Sequence, residues 1–387
     1  MVSFLSTESV LKEYYLDAIR LQLNNDVSPF YNAITKTNEN VFGRNIKMSI
    51  VKSGMGAVRA CTETEDLPSP SANRYFYLVQ TLKNLYGTIE ISDKAIRASA
   101  DSSGAYLSIL NAEMEGLISD AKSNFARMLY GDGSGFLAHI KSKVSSTVLE
   151  LDAVKSFFVG MSVDVSTASS GTMNVTVNKV DKVAKTITLS KSIDALTIKA
   201  GDIIKVHNAD GKELTGLASI FDSEWLYGFR KDSEPFFKPM VKSVVENELC
   251  ADDIINMVDD LEEDSGHKPN IILCSHKTKR AIYKLFDTSR HIVNTTDIAA
   301  GCTSLYVNDV PVVSDKFCPD DRIYVLNTND FVLCQLCDWT WLEDEDGRVL
   351  KQVANKAAYT ATLVKYADII CKSPWGQGLI KLTQPAE

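Results

Sequence analysis

Residues 103–130 carry the pattern that most constrains what this chain can become. Leu107, Leu110, Met114, Leu117, Ala121, Phe125 and Met128 step by three or four, while Glu113, Glu115, Ser119, Asp120 and Lys122 fall on the other faces. That period belongs to an amphipathic helix, and at 1.5 Å per residue the segment makes a rod roughly 40 Å long. It ends at Gly131-Asp-Gly-Ser-Gly135, because glycine just past the last turn accepts the left-handed backbone that stops a helix. With 387 residues, the chain is long enough for two or three domains and a substantial core around such a rod.

Two segments ahead of the rod bury themselves poorly. Val10, Leu11, Tyr14, Tyr15, Ala18 and Leu21 lie at helical spacing over residues 7–24, with start signals at Ser6, Thr7 and Glu8 and a stop at Asn24-Asn-Asp-Val-Ser-Pro29. A helix with a single apolar stripe must lie on another surface, so it reads as a docked arm. Residues 45–51 and 75–91 then read as a short and a long strand, rich in aromatic and β-branched residues. The polar, Gly/Pro/Ser-punctuated stretch 53–73 between them is longer than a structureless loop usually reaches inside a compact domain. Such a loop is either disordered or finds its contacts on another molecule.

After the rod the composition changes abruptly. Residues 137–216 hold two aromatics, Phe157 and Phe158, and read as short strands near 158–165, 174–180, 186–189 and 202–206. Ten lysines against eight carboxylates make this segment +2, which leaves −11 on the rest of a chain whose net charge is −9. It reads as a small β-barrel or sandwich inserted into a loop of the main body. Mixed text then resumes: an amphipathic helix through Ile254, Ile255, Val258 and Leu261, a buried strand 270–275, a basic helix 276–286 and strands near 305–307 and 311–313. A long hairpin follows from 331 to about 362, its turn at Glu343-Asp-Glu-Asp-Gly-Arg, and the chain closes on strands 368–371 and 379–382.

The chemistry of an enzyme does not assemble from these residues. The Gly131–Gly135 run lacks the G-K-[ST] of a phosphate-binding loop and follows a helix instead of preceding one. Ser134 is not at the centre of G-x-S-x-G, and the five histidines form no H-E-x-x-H. Cys334-Gln-Leu-Cys337 has redox or zinc spacing, but no second pair and no nearby histidine accompany it, and in a strand its two thiols point to opposite faces. The eight cysteines read as reduced, mostly buried thiols. Counting back from Gly347 puts Leu342 at the first ligand position of a calcium loop, so the acidic run is a solvated turn. A net acidic chain argues against a duplex-reading protein. Met1-Val-Ser-Phe-Leu-Ser-Thr-Glu is no secretory signal, and no stretch is apolar enough to span a bilayer.

The order of parts resembles the major capsid proteins of tailed phages, the Hong Kong 97-like fold. Leu85-Tyr-Gly-Thr-Ile-Glu-Ile-Ser-Asp-Lys-Ala-Ile is similar to the strand leading into that family's spine helix, and Phe125-Ala-Arg-Met-Leu-Tyr-Gly-Asp-Gly-Ser-Gly to the end of the helix. Asp368-Ile-Ile-Cys-Lys-Ser-Pro-Trp-Gly-Gln-Gly-Leu is similar to its final axial strand. The resemblance implies an α+β Hong Kong 97-like capsid fold with an inserted small all-β domain. Its parts would be an N-terminal arm at 1–45, an extended loop at 46–90, a peripheral domain with the spine helix at 91–136, the insertion at 137–216, an axial domain at 217–325, a peripheral hairpin at 326–365 and the axial C-terminal strand at 366–387.

It further implies self-assembly as hexamers and pentamers into an icosahedral head, with a portal, a separate scaffolding protein, an optional decoration protein and packaged DNA held by weak non-specific contact. No membrane, cofactor, metal or catalytic residue enters this reading. Tyr14 and Tyr15 on the arm, Glu63, Glu65 and Asp66 in the loop, and Arg74 at its end are the candidate subunit-interface residues. Stretch 53–73 contains no lysine, so the isopeptide weld of some family members is not expected. The arm helix begins by about residue 7, so no large cleaved leader is expected either. The insertion, with few aromatic contact residues, is expected to brace neighbouring capsomers in preference to exposed surface recognition, with stabilising its own subunit as a further role open to it. Other readings are an encapsulin-type cargo shell, a tail or baseplate protein, and more distantly an enzyme.

Overall fold

The computed structural model describes residues 28–53, 58, 60–64, 66, 69, 73–94, 103–167, 171–288, 305–343 and 349–384. The arm helix expected over 7–24 lies outside them. The body opens at Ser28, whose Oγ caps the short helix Pro29–Ala33 by accepting from the Phe30 amide. Strands β1 (Thr35–Thr37), β2 (Val41–Phe42) and β3 (Asn45–Ser53) follow, and β4 (Arg74–Thr81) returns antiparallel along β3 as a long two-stranded hairpin.

The single strand expected over 75–91 is two strands. β4 ends at Thr81, Leu82 breaks the ladder and donates its amide to the Arg44 carbonyl, and β5 (Lys83–Ser92) joins a different sheet. Burial changes phase at this point, from Phe76, Leu78 and Leu82 to Leu85, Ile89 and Ile91. A one-residue change of phase turns a strand over, so one apolar run serves two sheets.

The long helix spans Ser103–Tyr130. Met114, Ile118, Phe125, Ala126, Leu129 and Tyr130 are buried, while Glu113, Glu115 and Asp120 are exposed. It approaches β5 closely at Gly87, where a Cβ would sit 2.7 Å from Leu117 Cδ1. Phe125 packs edge-on against Tyr31, with centroids 5.3 Å apart.

The inserted segment is a closed barrel with its own core. Its strands are β6 (Phe136–Lys143), β7 (Val148–Leu151), β8 (Ser162–Thr167), β9 (Gly171–Asp181), β10 (Thr186–Leu189) and β11 (Ile203–Val206), in the order β10-β7-β6-β11-β8-β9. Leu149, Leu151, Val163, Val165, Val175, Val177, Ile187 and Ile204 fill the interior. Strands β6 and β7 escape the sequence reading because Lys141-Ser-Lys143 and Ser145-Ser-Thr147 make them look like loop.

Beyond the barrel come the helix Leu217–Asp222, the small hairpin β12 (Trp225–Leu226) and β13 (Phe229–Arg230), β14 (Met240–Val245), the helix Ala251–Ser265 ending on left-handed Gly266, β15 (Ile271–Cys274) and the helix His276–Thr288. Strands β16 (Leu305–Val307), β17 (Val310–Ser314), β18 (Arg322–Leu326), β19 (Phe331–Trp341), β20 (Lys351–Gln352), β21 (Ala358–Cys371) and β22 (Gly378–Thr383) complete the chain. One sheet runs β14-β22-β18-β15-β17-β16 and is covered on both sides, so β15 is apolar along its whole length. Leu273, Tyr324, Leu326 and Leu379 face the main core, and Ile272, Cys274, Ile323, Val325 and Ile380 face the helices Ala251–Ser265 and His276–Thr288. A second sheet, β1-β19-β21-β20 with β5 on the free side of β21, packs on the long helix.

Candidate assembly surface

The hairpin β3–β4 has two apolar faces and covers only one of them. Ile46, Phe76 and Leu78 turn inward, and Phe76 meets Phe229, Phe236 and Phe237 at centroid distances of 5.2, 5.5 and 4.9 Å. The alternate residues point the other way. The register pairs Val51 with Tyr75, Ser49 with Tyr77, Lys47 with Val79 and Phe42 with Asn45, so Phe42, Val51, Tyr75, Tyr77 and Val79 share the outer face. All five are exposed, Tyr77 to 72% and Phe42 to 60%. A row of exposed aromatic and β-branched residues on a thin three-stranded ribbon makes this face a candidate contact surface, since a ribbon gains little stability from such a face in water.

Of the candidates named from sequence, Glu63 and Asp66 are exposed in the stretch after the hairpin's first strand, and Arg74 is exposed at the start of β4, opposite Ser53. Tyr14, Tyr15 and Glu65 lie outside the described residues. The apolar outer-face residues are absent from the candidates read from sequence. Their signal is the run Tyr75-Phe-Tyr-Leu-Val79, apolar at odd and even positions alike, in a strand whose partner is only one other strand.

Buried polar groups tie Ser28 and the ends of several elements to the body. Asp315, itself buried, accepts from Ser28 Oγ, from Tyr130 Oη at 2.8 Å and from the Phe317 amide at 2.9 Å. It thereby ties Ser28 to the end of the long helix. Burial, with Asp315 alongside, pushes the Tyr130 hydroxyl well above its usual range, so it stays a protonated donor. Lys365, fully buried in β21, is held by Asp338 at 2.6 Å and Gln335 at 3.0 Å and lies 5.6 Å from the Phe125 ring centroid. Burial lowers its pKa. These polar groups are spent on holding elements together.

The barrel's stem is anchored just as firmly. Arg127 forms a two-bonded ion pair with Glu213, one arm 2.9 Å long. Gly216 sits against the end of the long helix, where a Cβ would lie 2.4, 2.6 and 2.7 Å from the Met128, Leu129 and Gly131 carbonyl oxygens. Lys155 of the barrel also reaches Asp320 of the body.

The described residues include no group of three or more His, Cys, Asp and Glu side chains arranged to hold a metal ion. Cys334 and Cys337 are both free thiols, and burial pushes Cys334 up to about 11, which keeps it protonated and unreactive near neutrality. No described helix is long and apolar enough to cross a membrane.

No family model and no curated protein matches the chain. Solved structures do match it, and over nearly its whole length. A subunit from the cyanophage A-1(L) capsid asymmetric unit is 11% identical with a TM-score of 0.56, covering 92% of this chain and 93% of that one. A subunit from the capsid of a native GTA particle is 12% identical with a TM-score of 0.52, covering 94% and 90%. A subunit of the holo-SrpI encapsulin complex from Synechococcus elongatus is 10% identical with a TM-score of 0.48, covering 94% and 90%. The chain has the α+β fold of tailed-phage capsid subunits, the Hong Kong 97-like fold, with a six-stranded barrel inserted after its long helix.

Proposed function

We propose that this chain is the major capsid protein of a tailed double-stranded DNA bacteriophage, assembling with itself as hexamers and pentamers into the icosahedral head that encloses the genome. The observation that carries this reading is the pairing of a capsid fold over more than nine-tenths of the chain with a hairpin whose outer face is apolar and exposed. In a closed shell that face lies across a neighbouring subunit, and each modest contact becomes effectively intramolecular once the others form.

On this reading residues 1–45 serve as the arm, 46–90 as the extended loop, 91–136 with 326–365 as the peripheral domain, and 217–325 with 366–387 as the axial domain. The barrel, 137–216, braces the shell. The role is structural, not catalytic. Partners are the portal, a separate scaffolding protein, an optional decoration protein and DNA. The body's excess of carboxylates supports weak contact with DNA, since a wall at −11 repels phosphate. The protein then resides in the virion after assembly in the host cytoplasm.

The test is to purify particles and examine their shape and contents. Closed shells protecting DNA from nuclease support the proposal. Shells holding a protein cargo and no DNA point to a cargo compartment, and rings or tubes point to a tail component; either overturns it.

A further inference from the structure

The hairpin departs from the body at Thr81–Leu82–Lys83, where the chain changes sheets, and both sides of that step are bonded to the segment 207–216 by which the chain returns from the barrel. On the hairpin side, Gln80 Nε2 donates to Thr215 Oγ1 at 2.8 Å and to Asp368 Oδ2 at 3.0 Å. On the body side, Lys83 Nζ donates to the Gly211 carbonyl at 2.7 Å. Thr215 in turn donates to Asp368 through its amide at 2.7 Å and its hydroxyl at 2.9 Å, and the Ile369 amide adds a further bond at 2.9 Å. Asp368 has 0% exposure, so these donors supply the polar surroundings that water would otherwise give its carboxylate.

The return segment is itself tied to the body. Glu213 is paired with Arg127, Gly216 is seated on the helix carbonyls, and Leu214 and Leu217 are buried in the main core. The return segment thus holds the step between the two sheets, alongside the packing of Phe76 on Phe229, Phe236 and Phe237. No strand ladder crosses the step, since Leu82 belongs to neither; its amide bonds the Arg44 carbonyl.

We infer that the segment returning from the barrel, through Thr215 and Gly211, is the hinge pin of the projecting hairpin, so that the insertion sets the hairpin's angle within its own subunit. This gives the inserted domain a task inside the chain, separate from any contact it makes with neighbours. In a shell, the hairpin's outer face would then be aimed by residues more than 120 positions away in sequence.

The test is hydrogen exchange on the unassembled full-length subunit, so its outcome does not depend on whether a shell forms. In the double variant Gln80→Leu/Thr215→Val, amides of residues 47–51 and 75–79 should exchange at least about tenfold faster, the scale expected for losing hydrogen bonds to a charged acceptor. Amides of β8, β9 and β18 should keep their protection. Thr215→Ser, which retains both donors, should behave as the parent. Lys83→Met, at a partly exposed position, gives the same reading with a smaller increase and decides the matter if the double variant does not fold. Unchanged hairpin exchange in the folded variants, or a uniform rise across the whole chain, would overturn the inference.

Discussion

Arg127 and Glu213 face each other across the point where the barrel joins the long helix, both side chains buried and joined by two hydrogen bonds. Removing one partner of such a pair strands the other charge without water. Arg127→Met should therefore cost about 3–5 kcal/mol, whereas Arg127→Met/Glu213→Met should recover most of the loss. Urea unfolding of the single and double variants checks this. Additive losses in the double variant would show that the pair is not acting as a unit.

Two glycines should respond to alanine in opposite directions. Gly216 has no room for a methyl group beside three helix carbonyls, so Gly216→Ala should destabilise by about 1–3 kcal/mol. Gly116 is exposed within the long helix and a Cβ there meets nothing within 4 Å, so Gly116→Ala should stabilise by about 0.5–1 kcal/mol. Thermal melts of the two variants give the comparison.

Lys231 links stability to alkaline pH. Its ammonium is buried against the Ser219 and Ile220 carbonyls, and desolvation lowers its pKa from 10.5 to about 8. Below about pH 8 both folded and unfolded chains carry the proton. Between about 8 and 10.5 the unfolded chain binds more protons than the folded one, so this group makes stability rise with pH across that window. Subtracting the pH profile of Lys231→Met from that of the parent should leave this rising component. A flat difference would contradict it.

The outer face of the hairpin should matter to assembly and not to folding. Tyr77→Asp and Val79→Asp place charge on exposed positions, so the melting of the subunit should change by no more than about 0.5 kcal/mol. Sedimentation should show these variants failing to form particles under conditions in which the parent does. Particles of normal yield from both would exclude this face from the subunit contact.

Much of the architecture is legible in the residues because most elements keep one period. The long helix shows its 3.6-residue stripe, and Val163, Val165, Val175 and Val177 show the period of two that fills a barrel. Legibility fails where one stretch serves two surroundings. Tyr75 to Ile91 reads as one strand because both halves are apolar, and only the phase change at Leu82 reveals that it crosses between sheets. The stem bonds are less legible still. Gln80, Thr215 and Asp368 are far apart in sequence, and no local pattern marks a polar residue that will be enclosed by tertiary packing. Carboxylates in the loop stand out as charges, while Tyr75 and Tyr77 of β4 have the composition of any strand.

The most direct measurement of the central claim is electron microscopy of the purified, concentrated protein. Closed icosahedral shells are expected, with the β3–β4 hairpin of each subunit lying across a neighbour. A protein that stays a dispersed monomer at every concentration and salt, or that forms only open rings or tubes, would contradict it.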